Sequence, residues 1–341
     1  MFMITDTVYH YCSLETFLSI LKNRTIRLSD VHKLNDATET KVFLDILKGS
    51  SVETILEKQK GDYFDLIKGM DEKTAVNYVV NTMLDQILNY NDLLRYIACF
   101  SEDGDLLSQW LRYANNGMGV SIGFNADMLN QIATMHEDLY FRKVLYIDEK
   151  NIIERDLVTY YSRRIMDNLP IHIAYNEVEK ILTSADRIPQ YLRWYNELID
   201  ESIFYKHYSF REEQEWRLAF TDESLSKFSG DWRSLYFWDE NPSKTDSGKD
   251  NPIVIEPDEY LKKTAMDLFP KGIEFRSRGD DVVSYLDLKL CQDDDLFEYI
   301  CKIFIGPNCR IDEDDISQIL QHFYCDHEIC IEKSSSPYRI I

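Results

Sequence analysis

The 341-residue chain is short of positive charge: 38 Lys and Arg stand against 60 Asp and Glu, for a formal net charge of -22. Such a surface repels phosphate backbones, so non-specific binding to nucleic acid or to an anionic membrane is disfavoured, while a local basic cleft stays compatible with it. No run approaches the ~20 apolar residues of a membrane span. The opening stretch, Met1 to Tyr11, lacks the basic and apolar regions of a secretory signal. Seven cysteines, scattered and odd in number, do not make a disulfide framework in a chain of this length. The expectation is a soluble, cytoplasmic protein in a reducing compartment, with no membrane partner. Also missing are an internal repeat, a phosphate loop, a dinucleotide fingerprint and His-Glu-x-x-His; Gly306-Pro307 before the last helical pattern lacks the glycine spacing. Chemistry must therefore be sought in dispersed residues.

What is present is ample apolar material: 44% of residues are hydrophobic and 13% aromatic, enough for a substantial core. Val8 to Cys12 reads as a strand. Ser13 then caps a helix through Lys22 with Phe17, Leu18 and Leu21 on one face, and a strand resumes at Thr25 to Leu28. Residues 39–91 and 150–203 are mainly helical and read as two insertions around a β-containing core. Arg95 to Ser101 predicts a strand, Leu106 to Ala114 a helix stopped by Asn115-Asn116-Gly117, and Met118 to Phe124 a strand whose glycines permit close backbone approach. Asn241 to Asn251 has the composition of a flexible loop. After it come a helix at 257–269, a strand at 282–290, a helix at 294–301 and a strand–helix–strand segment over 302–341.

The chain is organised around Tyr205 to Phe220. At period two, Glu213, Glu215 and Arg217 point one way and Gln214, Trp216 and Leu218 the other, on one expected strand. A face of two carboxylates and a guanidinium is either a solvated or ion-paired sheet surface or the charged floor of a cleft.

Two other constellations compete. His322, Cys325, His327 and Cys330 are of the residue types zinc takes, but so compact a spacing with no second knuckle is a weak match, and ordinary packing suits them better. A Mg²⁺-dependent nuclease built on acidic clusters would need a basic track that the charge balance does not supply. No metal is expected.

The remaining set is His10 and Tyr11 on the first strand, Ser101 on a later one, and Glu213 with Glu215. Chemistry can be written for it. Cleavage of the nicotinamide–ribose bond of NAD expels a good leaving group; it needs a carboxylate near the ribose 2′-hydroxyl to stabilise oxocarbenium charge, and a polar or aromatic residue to orient the nicotinamide.

Taken together, Y-H-Y-C-S at 9–13, L-N-D-A-T-E at 34–39, C-F-S at 99–101, S-Q-W-L-R-Y-A-N-N-G-M-G-V-S-I-G-F at 108–124, F-R-E-E-Q-E-W-R-L at 210–218, I-F-I-G-P at 303–307 and S-S-P-Y-R at 335–339 resemble the bacterial domain-of-unknown-function 2971 family. The resemblance implies one family-type domain over 1–341 and no particular activity. The succession of an aromatic/His strand, a short helix, an F-S strand and an E-x-E strand is similar to the ADP-ribosyltransferase superfamily, including toxin-like members. That second resemblance implies an α+β fold with a split β core, and NAD as co-substrate. His10 or Tyr11 would hold NAD, Ser101 would match a serine-bearing strand, and Glu215 or Glu213 would be catalytic. Arg27 would bind a phosphate, and Trp110 and Tyr113 would wall the pocket or belong to the core. The expected function is transfer of ADP-ribose to an unknown macromolecular target, or NAD hydrolysis, in a toxin or phage-defence setting. The alternative is a non-enzymatic interaction or sensor protein of a defence operon, with Glu213, Glu215 and Arg217 in a structural network with Arg27 or Arg95.

Overall fold

The computed structural model describes residues 6–33, 41–58, 95–136, 138–148, 198–221, 267–290, 296–323, 325 and 327–338, with a few isolated positions between them. Side-chain detail in the helix over 41–58 ends at residue 49. Of the two expected helical insertions, the described parts are that helix and the residues from 198 onward. The expected loop at 241–251 lies outside the described residues, as does nearly all of the expected helix at 257–269.

Local chemistry sets the opening unit. Strand β1 (Thr7–Cys12) runs into Ser13, whose Oγ accepts the Thr16 backbone N–H at 3.2 Å and starts helix α1 (Leu14–Asn23). The helix buries Phe17, Ile20 and Leu21, while Leu18, expected on that face, is exposed. Arg24 adopts a left-handed conformation (φ 57°) and donates its N–H to the Ile20 carbonyl, which ends the helix and releases the chain into β2 (Thr25–Asp30).

Helix α2 (Lys41–Lys58), β3 (Tyr96–Ser101), α3 (Leu107–Tyr113), β4 (Val120–Asn125), α4 (Ala126–Ala133), β5 (Leu139–Lys143) and the short β6 (Leu145–Ile147) follow. Past the break come β7 (Tyr205–His207), a 3-10 turn at Tyr208–Glu213 and β8 (Glu215–Phe220). The chain closes with the hairpin β9 (Ile273–Arg278) and β10 (Asp281–Lys289), then β11 (Ile300–Ile305), α5 (Glu313–His322) and β12 (Cys330–Lys333). The expected helix at 294–301 is a 3-10 turn at Leu296–Tyr299 followed by the start of β11. Between α3 and β4, Asn115, Asn116 and Gly117 all take positive φ (49°, 55° and 79°). Gly119 lies so close to β1 that a Cβ there would sit 2.0 Å from the Cys12 carbonyl oxygen, so the glycine is required by backbone approach.

The architecture is mixed α+β. Among the described residues ten strands form one sheet in the order β12-β11-β4-β1-β3-β2-β10-β9, with β8 also on β3 and β5 on β8; every pair but β11–β12 is antiparallel. β6 and β7 form a separate parallel pair. The main apolar core lies on one face, where Ala98 and Phe100 of β3 meet Trp216, Leu218 and Phe220 of β8. A smaller cluster of Val31, Ile97, Ile203, Phe204 and Ala219 covers part of the other face. β3 and β8 are therefore packed on both faces.

Candidate functional site

β8 runs along the full length of β3, from Tyr96↔Phe220 to Ser101↔Glu215. The opposite edge of β3 is shared: β1 meets it at Tyr9↔Ser101, and β2 at Ser29↔Ile97 and Asp30↔Tyr96. Between these contacts β1 and β2 part. The His10 imidazole enters the gap, with Nδ1 2.9 Å from the Cys99 carbonyl oxygen. A carbonyl only accepts, so Nδ1 carries the proton and Nε2 presents a lone pair. Burial lowers the His10 pKa, partly offset by that hydrogen bond, and keeps the ring neutral at pH 7.

A cavity of about 620 Å³ occupies this region, within the size range of small-molecule and cofactor sites. Its wall contains His10, Tyr11, Arg27, Tyr113, Glu213 and Glu215, all expected from sequence to contribute to one site. Ser101 and Trp110 stand behind the wall. Ser101 is buried; its Oγ donates to the Glu213 carbonyl at 2.8 Å and accepts from the Asp103 N–H at 3.2 Å, which fastens the turn that presents Glu213. Trp110 is fully buried, edge-on to Tyr11 with ring centroids 4.8 Å apart, and donates to Asp105. The Tyr11 hydroxyl donates to the Asp103 carbonyl and accepts from the Leu106 N–H, both at 2.8 Å, so it pins the β3–α3 turn while its ring faces the cavity. Burial, then the charge of Glu213, raises the pKa of Tyr113, which remains a neutral phenol.

One end of the cavity is a charge network. The strand expected over 205–220 is broken: residues 208–213 form the 3-10 turn, and Gln214 takes φ 45°. That left-handed residue brings the Glu213 carboxylate to the same side as Glu215 and Arg217 although only the latter two lie on β8. The face is neither wet nor sheet-edge. Glu213 is 2% exposed, Glu215 4% and Arg217 0%, so each charge needs a partner at bonding distance. Lys206 of β7, itself buried, supplies Nζ at 2.7 Å from Glu213 Oε2 and 3.0 Å from Glu215 Oε2. Arg217 grips Glu215 with Nε at 2.8 Å and Nη2 at 3.2 Å. Arg112 of α3, its side chain 43% exposed, pairs with Glu213 Oε1 from the cavity side. Burial by itself would raise the Glu215 pKa; Arg217 and then Lys206 more than reverse this and hold it at about 2. The network expected with Arg27 or Arg95 is thus built from other cations: Arg27 pairs with Asp287, and Arg95 with Asp200.

The other end is an arginine row. Arg27 on β2 is clamped by Asp287 through Nε at 2.9 Å and Nη2 at 3.2 Å, and lies 3.7 Å above the Tyr285 ring centre. Arg276 and Arg278, two apart on β9, share one strand face and also line the cavity.

Sequence reasoning passed over Lys206, Arg112, Arg276 and Arg278. Lys206 stands inside the stretch singled out as central, as a lone cation in an otherwise aromatic run. Arg276 and Arg278 were lost with β9. The signal for β9 was Gly279-Asp280 between alternating segments, a two-residue hairpin loop in which Gly279 takes φ 64°. His322, Cys325, His327 and Cys330 do not assemble: the Cys325 thiol turns to the His327 carbonyl and the Cys330 thiol to Glu332, each at 3.4 Å. Among the described residues no group of three or more His, Cys, Asp or Glu could hold a metal ion. No helix among them is long and apolar enough to cross a membrane.

The model of the family described as "Protein of unknown function (DUF2971)" matches residues 109–218, which shows the family resemblance over that stretch. The matched segment carries Arg112, Tyr113, Lys206, Glu213, Glu215 and Arg217, the whole charge network. His10, Arg27, Arg276 and Arg278 lie outside it. No curated protein and no solved structure matches the chain significantly.

Proposed function

We propose that the cavity binds NAD and that the protein is an ADP-ribosyltransferase-like enzyme, transferring ADP-ribose to a macromolecule or to water. One observation carries the reading: the parting of β1 and β2 along β3, a split of the kind that superfamily uses, is where a neutral imidazole, two carboxylates and a row of arginines border one cavity. In the reaction the ribose C1′–nitrogen bond breaks, its electron pair neutralises the pyridinium, and neutral nicotinamide departs. A nucleophile adds at C1′ and loses its proton to solvent. A carboxylate that stays ionised is the group required beside the oxocarbenium ion. Glu215 meets that condition with its low pKa, but its partners Arg217 and Lys206 are buried and fixed. Glu213 is held from the cavity side by the half-exposed Arg112, which a ligand can displace. We therefore assign the ribose to Glu213, with Glu215 fixing Lys206 beneath it; His10 Nε2 and Tyr113 are placed to orient the nicotinamide.

The test is incubation of wild type, Glu213→Gln and Glu215→Gln with labelled NAD, following both labelled acceptor and released nicotinamide. Turnover in wild type and its loss in Glu213→Gln is the expected result; a wild type that neither transfers nor hydrolyses sinks the enzyme reading. A second reading, a binding or sensor module, is favoured by one feature: all four oxygens of Glu213 and Glu215 are already engaged by cations. It predicts NAD binding without release of nicotinamide.

A further inference from the structure

We infer that Arg27, Arg276 and Arg278 form a phosphate subsite for a ligand bearing a diphosphate ester, separate from the carboxylate end of the same cavity. The register along β3 separates the two ends. Arg276 reaches Ser29, which meets β3 at Ile97, whereas Glu215 lies opposite Ser101, and four residues of strand span roughly 13 Å.

Among the described residues the carboxylates at the arginine end are already bonded to or faced by cations. Asp287 is buried and spent on Arg27, Glu274 is faced by Lys271 at 3.9 Å, and Asp281, opposite Arg278 on the hairpin, is bonded by Lys33 at 3.0 Å. The clamp uses Arg27 Nε and Nη2 and leaves Nη1 for another acceptor. Arg276 donates to a neutral hydroxyl, Ser29 Oγ, at 3.3 Å. Its pKa is lowered by partial desolvation and then by Arg27 and Arg278, against the opposing pull of Tyr285 and Asp287. A chain with a net charge of -22 has no general need for such a row, and its own abundant carboxylates would be the cheapest partners if the row were structural. Arg27, fixed by stacking and by a carboxylate clamp, is a pre-organised donor, and Arg276 and Arg278 beside it add charge-assisted hydrogen-bond donors for phosphate oxygens. The cavity beside them gives the rest of a nucleotide a place to lie.

Titration calorimetry of the full chain with ADP, NAD and adenosine tests this. We expect ADP and NAD to bind, adenosine to bind at least tenfold more weakly, and the double variant Arg276→Ala/Arg278→Ala to weaken ADP at least tenfold. Both side chains are exposed, so the variant should melt at the wild-type temperature. Absence of ADP binding, equal affinity for ADP and adenosine, or unchanged ADP affinity in the double variant overturns the subsite. The inference rests on the nucleotide reading of the cavity but fails separately from the proposed reaction. ADP bound through these arginines with no NAD turnover removes the reaction and keeps the subsite; NAD turnover with the same KM in the double variant removes the subsite and keeps the reaction.

Discussion

The two ends of the cavity hold similar residues under opposite physical conditions. At the β7–β8 end two carboxylates and two of their three cations, Lys206 and Arg217, are buried, and every carboxylate oxygen has a partner. At the β2–β9 end the outer two guanidiniums are exposed, Asp287 is committed to the third, and Asp281 and Glu274 are faced by Lys33 and Lys271. Burial makes an unpaired carboxylate costly, so both inner acids are fully paired; solvent tolerates a surplus of charge, and it is at the exposed outer end that the phosphate subsite is proposed. The inner network is therefore expected to be a stability element as well as a candidate reaction centre, and the exposed outer row to be dispensable for folding.

The comparison can be broken most decisively at Arg217. Arg217→Met leaves Glu215 buried with one of its two cations gone and should cost about 3–5 kcal/mol, read as a lowered chemical-denaturation midpoint. A variant as stable as wild type would show that the inner network is not held as described. Next is pH. The folded pKa of Glu215, about 2, lies below the ordinary carboxylate value. Its contribution to stability is therefore complete above about pH 4.5 and lost as the pH falls toward 2. Roughly 3 kcal/mol of acid-dependent stability in wild type should be missing from the pH profile of Glu215→Gln. Superimposable profiles would argue that Glu215 titrates normally. Arg112→Ala should cost about 1 kcal/mol or less, because its exposed side chain is screened by solvent and Glu213 keeps Lys206. The smallest effect belongs to the outer row: Arg276→Ala/Arg278→Ala should stay within about 0.5 kcal/mol of wild type, and a large loss would make that row structural.

Much of this geometry was legible where the chemistry is local. Ser13 as a helix cap, the stop at Asn115-Asn116-Gly117, and the alternation of Glu215 and Arg217 with Trp216 and Leu218 need only neighbouring residues to be read. The grouping of Glu213 with Glu215 was also reached, although by a strand that does not exist at Glu213. Period-two counting cannot register a 3-10 turn closed by a left-handed Gln214, because nothing in that glutamine's chemistry demands positive φ. Ser101 was placed beside the right residues on the wrong side of the wall, since a strand's outward face and its hydrogen-bonding partners are set by what packs there. Lys206 and Arg112 escaped notice because a lone cation has no pattern; only the carboxylates it meets give it a role.

The amino-acid order alone determined the acidic surface, the helix and strand starts and the presence of paired acids on one strand, all consequences of composition and near-neighbour sterics. The tertiary structure decided which cations the acids meet, that β1 and β2 part along β3, and that the arginines of β9 come to the same hollow as His10. Those facts depend on contacts between residues as far apart as Arg27 and Asp287, and the energy of such a contact is defined only once the chain has brought both groups out of water together.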